Sequence, residues 1–495
     1  MSRLRWRSPT ALVALAAVGG TGAALRYAAL DLTLSHYDAR GHLVVARRIF
    51  DSITPGWQQI GAVWLPLPHL LNALPVQIDV FYRTGLSAVA ISVLSFAVAT
   101  AAIVHIVRGL TGSWLAAAAG ALVFVLNPNV LYLQATPMTE PLLIALTTGS
   151  IALLLAYCDR VRTSADGAVP TGSALTGWAF ALACLTRYEA WPVTIGALAA
   201  AVWALWRQRV PLVRAAQTIR SVAVYPIAAI IGFSIFSRIV VGAWFASGFF
   251  VPENPAEGHP FDAVKQIVWG LHELSGTGVL AAAIAGLLFV AGRALFMRRC
   301  APQILPLALL GMAAVPWSAF VDGHPYRIRY MVPLIASEAI CAGAAAGIWR
   351  RGRVGAVVLI AIAALELRPL DSSAPMVTEA QWDRPNAAVR ARVTGCLKDG
   401  YDGDSIMASM GSLGHYMQDL SKAGFSIRDF LHEGNGDIWL NALVSPRPYA
   451  GWILIEEKAE GGDMLATIAR EHPAFLEGYF RACQGAGLAL YRRGP

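Results

Sequence analysis

Asp38, Glu140, Arg187, Glu189, Asp322, Arg327 and Arg329 stand at the ends of long apolar stretches or in the short loops between them. Threading those stretches through a bilayer is expected to bring all seven to one face. Ionisable groups at membrane depth are costly and mark functional cavities more often than lipid-facing decoration. Their types also define a chemistry. A positioned carboxylate can take a proton from a hydroxyl. A guanidinium fork stays charged at any physiological pH and binds phosphate bidentately. Carboxylates and arginines gathered from distant parts of a chain predict an active site at one membrane surface.

The elements that must position them are membrane helices. The chain has 495 residues, of which 56% are hydrophobic and only 14% charged, with a mean hydropathy of +0.53. That is too apolar for an ordinary soluble protein. The net charge of +8 does not point to nucleic acid, because the arginines sit at the ends of apolar runs instead of forming one patch. With about 20 apolar residues needed per crossing, roughly eleven spans are expected: 10–30, 85–107, 114–131, 141–158, 174–187, 191–206, 218–240, 277–297, 303–321, 330–349 and 354–369. The first follows Arg3, Arg5 and Arg7 and lacks a small-residue cleavage site before Arg26 and Tyr27, so it reads as a retained anchor.

Arginines recur at one set of ends: Arg108, Arg160 and Arg162, Arg207 to Arg220, Arg298 and Arg299, and Arg350 to Arg353. By the positive-inside bias that side is expected to be cytoplasmic. The loops 31–84, 132–140, 188–190, 241–276 and 322–329 then face outward, and so does the tail 370–495. The tail has shorter apolar runs and turn signals such as Asp402-Gly403 and Gly434-Asn435-Gly436. Short strands are expected at 405–410 and 451–455 and helices at 412–424 and 463–471, enough for one small α/β domain. The expected fold is therefore an α-helical polytopic membrane protein, 1–369 with the outer loop 31–84, followed by a small extracytoplasmic α/β domain, 370–495. Cys396 and Cys483 are the only cysteines in that tail. In an oxidising compartment they can pair or remain two thiols. A Walker loop, a Rossmann glycine fingerprint and a Cys/His metal spacing are all lacking in the sequence, so nothing supports ATP-driven transport.

After the first span the chain reads Ser35-His36-Tyr37-Asp38-Ala39-Arg40-Gly41-His42, then a run over 40–51 with Leu43, Val45, Ala46, Ile49 and Phe50 at helical spacing. That pattern suits an amphipathic helix on the membrane interface with Arg47 and Arg48 elsewhere on its surface, and equally an ordinary interfacial loop. Trp64-Leu65-Pro66-Leu67-Pro68-His69 follows. An acidic residue after the first span, an amphipathic helix and then a Pro-Leu-Pro element resemble the first outer loop of the GT-C glycosyltransferase superfamily. Protein O-mannosyltransferases, aminoarabinose transferases and arabinofuranosyltransferases belong to it. The resemblance covers roughly residues 10–350 in layout. It implies a polytopic enzyme taking a sugar from a polyprenyl-phosphate carrier, with Asp38 at the position of the catalytic acid. Two departures stand out. Relatives with an Asp-Glu pair contrast with Asp38-Ala39 here, and relatives with Lys or His before Pro-Pro-Leu contrast with Trp64-Leu65. Without that cation, His69 or Arg40 would have to supply the phosphate contact.

Thr139-Glu140-Pro141 is a good helix start in its own right, with Thr139 as cap. The resemblance adds acceptor binding, hydroxyl positioning or help in holding a divalent ion for Glu140; which metal, if any, is left open. In Leu185-Thr186-Arg187-Tyr188-Glu189 the two charges can neutralise each other, or the turn can aim Arg187 into the cavity with Glu189 in support. Arg327-Ile328-Arg329-Tyr330 with Pro333 resembles the superfamily's carrier-phosphate site, with Arg329 and Tyr330 as contacts. The plain alternative is arginines snorkelling near a helix end, which suits Arg327 better than Arg329. Asp322 and His42 are expected to support the acceptor side. The loop from Phe249 to Pro255 could cover the site. The implied reaction is sugar transfer from the polyprenyl-phosphate donor to a hydroxyl of a glycan, lipid or protein acceptor, with inversion. Other classes are a secondary transporter or lipid flippase, which would favour repeated halves and charges near the midplane, and an inactive scaffold.

Overall fold

The computed structural model describes residues 10–61, 63–163, 171–240, 242, 244, 253–348, 352–458 and 462–495. The arginines at 3, 5 and 7, those at 350 and 351, and the 249–252 part of the expected covering loop lie outside these. The chain divides into two compact units. One comprises 1–29, 89–239 and 251–379, and the other 30–88, 240–250 and 380–495.

The first unit is a helical bundle. A helix occurs at each of the eleven expected spans, and seven are long and apolar enough to cross a membrane: Ala11–Ala29, Leu86–Thr111, Glu140–Thr163, Leu212–Val240, Thr277–Phe296, Arg298–Val321 and Ile328–Ala346. Trp114–Val125, Ser173–Cys184 and Arg353–Glu366 are shorter, while Ala190–Arg207 has 18 residues. Two crossings are not simple α-helices. Arg298–Ala313 is 3-10 with Pro302 and Pro306 inside it, and Ile328–Leu334 is 3-10 with Pro333 before it continues as Ile335–Ala346. A proline N–H is missing from the helical ladder and its ring crowds the preceding turn, which favours such departures. Small residues let the central Ile335–Ala346 helix pack tightly. A Cβ on Gly286 would collide with the Cys341 carbonyl, and one on Gly120 would lie 2.8 Å from the Ala339 carbonyl. Close backbone approach of this kind replaces the hydrophobic drive that lipid does not provide. A further helix, Pro260–Ser275, lies in the segment read as outer loop.

The second unit differs from the expected boundary. The loop 31–84 belongs with the tail, and residues 370–379 belong with the bundle. Its five-stranded sheet has β1 (Ile406–Ala408), β2 (Phe430–Leu431), β3 (Trp452–Glu456), β4 (Tyr479–Gly485) and β5 (Leu488–Arg493) in the order β2-β1-β3-β5-β4. β2, β1 and β3 run parallel, and β5 is antiparallel to β3 and β4. Cys396, on the helix Ala387–Gly400, forms a disulfide with Cys483 on β4, Cα atoms 6.4 Å apart. The expected amphipathic helix is Tyr37–Arg48, but it is not an interfacial surface helix. Leu43, Val44 and Ala46 join a core with Val76, Tyr82, Leu413, Tyr416, Leu420 and Leu454. Arg47, expected on the surface, is buried, ion-paired to Asp51 at 2.9 Å and Asp79 at 2.7 Å, with its guanidinium 4.5 Å from the centroid of the Tyr82 ring. Within the helix the apolar residues face protein, while Phe50 just beyond its end is exposed.

Candidate active site

In the bundle, three expected residues come together around one guanidinium. Glu140 opens the helix Glu140–Thr163 and is fully buried. Arg187 lies in the turn between Ser173–Cys184 and Ala190–Arg207, and reaches Glu140 Oε1 at 3.1 Å and Glu189 Oε1 at 2.8 Å. Its Nε donates to the same Glu189 oxygen at 3.0 Å, and Nη1 donates to Thr139 Oγ1 at 2.9 Å. The Thr139 hydroxyl thus accepts from Arg187, whatever it adds to the helix start. Glu189 thus pairs with Arg187, and the same guanidinium reaches Glu140. Arg329 lies within electrostatic reach of this guanidinium. Two carboxylates and two arginines therefore make a locally balanced group.

Arg329 is buried in the 3-10 turn Ile328–Leu334, its guanidinium 5.0 Å from the centroid of the Tyr330 ring. The turn is pinned at its start by Glu379, which accepts from the Ile328 N–H at 2.7 Å. Tyr330 Oη and His324 Nε2 are 3.3 Å apart. Arg327 precedes the turn and is half-buried, whereas Asp322 is exposed and accepts from Ser318 Oγ at 3.5 Å. Glu379 and His324 were not anticipated; an isolated Glu more than 40 residues downstream carries no motif to flag it.

The other end of the Glu140 helix is distinct. His105, Asp159, Arg162, Gln208, Arg299 and Gln303 line one cavity. Its 24 residues span about 36 Å at 1.5 Å per residue, enough to separate the two ends across a hydrocarbon core of about 30 Å.

In the second unit, Asp38 sits in the first turn of Tyr37–Arg48 and is buried, its N–H donating to His36 Nδ1 at 3.1 Å. Arg40 does not offer an idle cation: it donates to Leu34 O, to His415 O at 3.2 Å and to Asp419 Oδ2 at 3.1 Å. His69 is completely enclosed, bonded to His42 and to Leu65 O, each at 3.1 Å. Burial pushes its imidazole down to about 3, so at neutral pH it cannot replace the missing phosphate-binding cation. Among the described residues, no three His, Cys, Asp or Glu side chains gather as a metal site. Glu140 and Glu189 are engaged by Arg187, so holding a divalent ion would require that pairing to open.

No family model matches the sequence, and no curated protein matches it. Solved structures do. ArnT from Cupriavidus metallidurans bound to undecaprenyl phosphate is 14% identical with a TM-score of 0.56, covering 99% of this chain and 100% of that one. Its apo form is 15% identical at 0.55, covering 96% and 99%. The apo Archaeoglobus fulgidus oligosaccharyltransferase is 12% identical at 0.55, covering 90% and 69%. This chain shares the overall fold of these solved proteins.

Proposed function

We propose that this chain is a membrane glycosyltransferase that moves a sugar from a polyprenyl-phosphate carrier to an acceptor hydroxyl at the outer face of the plasma membrane. The observation that carries the reading is the buried Arg187–Glu140–Glu189 group with Arg329 beside it, at one end of a bundle whose fold is shared with a protein solved bound to undecaprenyl phosphate. The incoming phosphate is met by Arg329, whose guanidinium lies over the Tyr330 ring and offers a bidentate fork. Arg187 holds that group in place.

Asp38 takes the hydroxyl proton late, as the acceptor oxygen bonds to the anomeric carbon. The bond from that carbon to the phosphate oxygen breaks, and its electron pair leaves with the phosphate. Attack opposite the leaving phosphate inverts the configuration. Stabilising the departing phosphate is commonly the largest electrostatic contribution in such a site, and that task falls to Arg329. The outward orientation is supported by the basic end at Arg162 and Arg299, which the positive-inside bias assigns to the cytoplasm.

The test incubates the purified full-length protein in nanodiscs with a panel of polyprenyl-phosphate sugars and acceptors. Release of polyprenyl phosphate coupled to a glycosylated product, lost in Asp38→Asn, is expected. Translocation of intact donor across vesicles without any product would favour a flippase and overturn the proposal.

A further inference from the structure

His42 and His69 form a hydrogen-bonded pair whose proton positions are fixed by chemistry. The Leu65 carbonyl can only accept, so His69 Nδ1, 3.1 Å away, carries a hydrogen. His69 is buried at 1% exposure and is held neutral by that burial, so its Nε2 bears a lone pair. His42 Nδ1 lies 3.1 Å from that Nε2 and must donate to it. The hydrogen of a neutral His42 is thereby placed on Nδ1, and its Nε2 is the basic atom. The ring is also held sterically. Trp64 packs against it with centroids 4.1 Å apart, and Gly41 makes room, since a Cβ there would lie 2.9 Å from Trp64. This chain thus has a Trp-His-His cluster where the sequence lacks the cation before Pro66.

His42 follows Asp38 by four residues on Tyr37–Arg48, and both are buried. Residues so spaced share a helix face, with Cβ atoms about 5–6 Å apart. We infer that His42 Nε2 is a second proton acceptor behind Asp38, which rests on the reading of Asp38 as the base. The hydroxyl proton passes to the Asp38 carboxylate and then to His42 Nε2, giving an imidazolium that returns its proton to water after product leaves. The second transfer restores the Asp38 carboxylate for the next turnover. Nothing is oxidised or reduced, and no co-reactant is needed. The anchoring bond through His69 keeps Nε2, and not Nδ1, as the receiving atom.

His42→Asn separates this role from packing, because the Asn amide can still donate to His69 but has no basic nitrogen. A proton acceptor predicts kcat lowered by about tenfold or more, at the low end of acid–base effects, with the donor KM within about twofold and the thermal midpoint retained. A purely structural His42 predicts a wild-type rate for this variant, which would overturn the inference. Nitrogen-15 histidine spectra of the unmodified full-length protein in nanodiscs give a test that no folding failure can obscure. His42 protonated on Nδ1 is expected; a neutral His42 protonated on Nε2 refutes the relay. An active Asp38→Asn enzyme would instead sink the base assignment itself. A wild-type rate in His42→Asn alongside an inactive Asp38→Asn would sink only the relay.

Discussion

Around Arg187 a single guanidinium serves two buried carboxylates, and this asymmetry separates stability from catalysis among the site residues. Deleting one partner of a buried pair leaves an uncompensated charge and costs about 3–5 kcal/mol, whereas replacing the whole group by uncharged residues is often neutral. Arg187→Met should therefore lower the unfolding midpoint sharply, and adding Glu140→Gln and Glu189→Gln should recover most of it. An unchanged midpoint for Arg187→Met would contradict the 2.8 and 3.1 Å pairing. Arg329 should behave differently. A hydrogen bond to a charged group contributes about 1.5–3 kcal/mol, so Arg329→Ala should weaken polyprenyl-phosphate binding about tenfold or more, and the half-buried Arg327→Ala far less. Equal affinities in a lipid-phosphate titration would favour snorkelling for both. At Asp38, the Asn variant should fold, bind donor and lose transfer by at least about 100-fold; more than about a tenth of the rate remaining would argue against a base.

Among the elements, the second unit combines buried histidines with a disulfide, and both make testable statements about its stability. Burial pushes His69 down to about 3 and His415 to about 4, and lowers His432 well below the usual range. All three bind a proton near pH 6.5 when unfolded but resist it when folded. The stability they contribute is complete above about pH 6.5 and is lost as pH falls toward their folded values. Asp463, pushed up by burial to about 6, works in the opposite direction between about pH 4 and 6, its folded form binding the extra proton. Three groups outweigh one, so the unit's unfolding midpoint should fall between pH 7 and 5; a rise would require other groups to dominate. The disulfide joins residues 87 apart, and in the chain-entropy model replacing both cysteines with serine should cost up to about 4 kcal/mol, read as a lower denaturation midpoint under non-reducing conditions. Strands β1 and β3 and the helix Met464–Glu471 were legible because continuous apolar runs and an apolar stripe marked them. The β4–β5 hairpin was not, since its turn is Ala486-Gly487, with Ala486 at a φ of 52°, instead of a recognisable Asn-Gly. The helix Tyr37–Arg48 shows a deeper limit. An amphipathic stripe reports that one face is apolar but not whether lipid or protein covers it, and here residues such as Leu413 and Tyr416, some 370 positions away, do so. Glu140, Arg187 and Glu189 were readable as charges among apolar runs, while their pairing depends on helix positions that spacing does not encode.

At the scale of the whole molecule, sidedness determines whether the proposed chemistry uses donors and acceptors outside the cell. The Glu140 helix has the Arg187 group at its start and Arg162 near its end, where Arg299 lines the same cavity. Cys300 follows Arg299 directly and is half-buried, within 3.3 Å of Arg293, so its thiol reports the compartment of the end opposite Glu140. Cys158, Cys184 and Cys341 are buried and should stay silent. Cys396 and Cys483 report independently on the second unit, and their pairing is the state that persists in oxidising compartments. A membrane-impermeant thiol reagent applied to intact cells after mild reduction is expected to label Cys396 and Cys483 and to spare Cys300 until the cells are permeabilised. Serine replacement of Cys300, and separately of the disulfide pair, assigns each signal. Labelling of Cys300 in intact cells would place the Arg162 end outside and the Arg187 group at the cytoplasmic face. The proposal of transfer at the outer surface would then fail even if every catalytic assignment held.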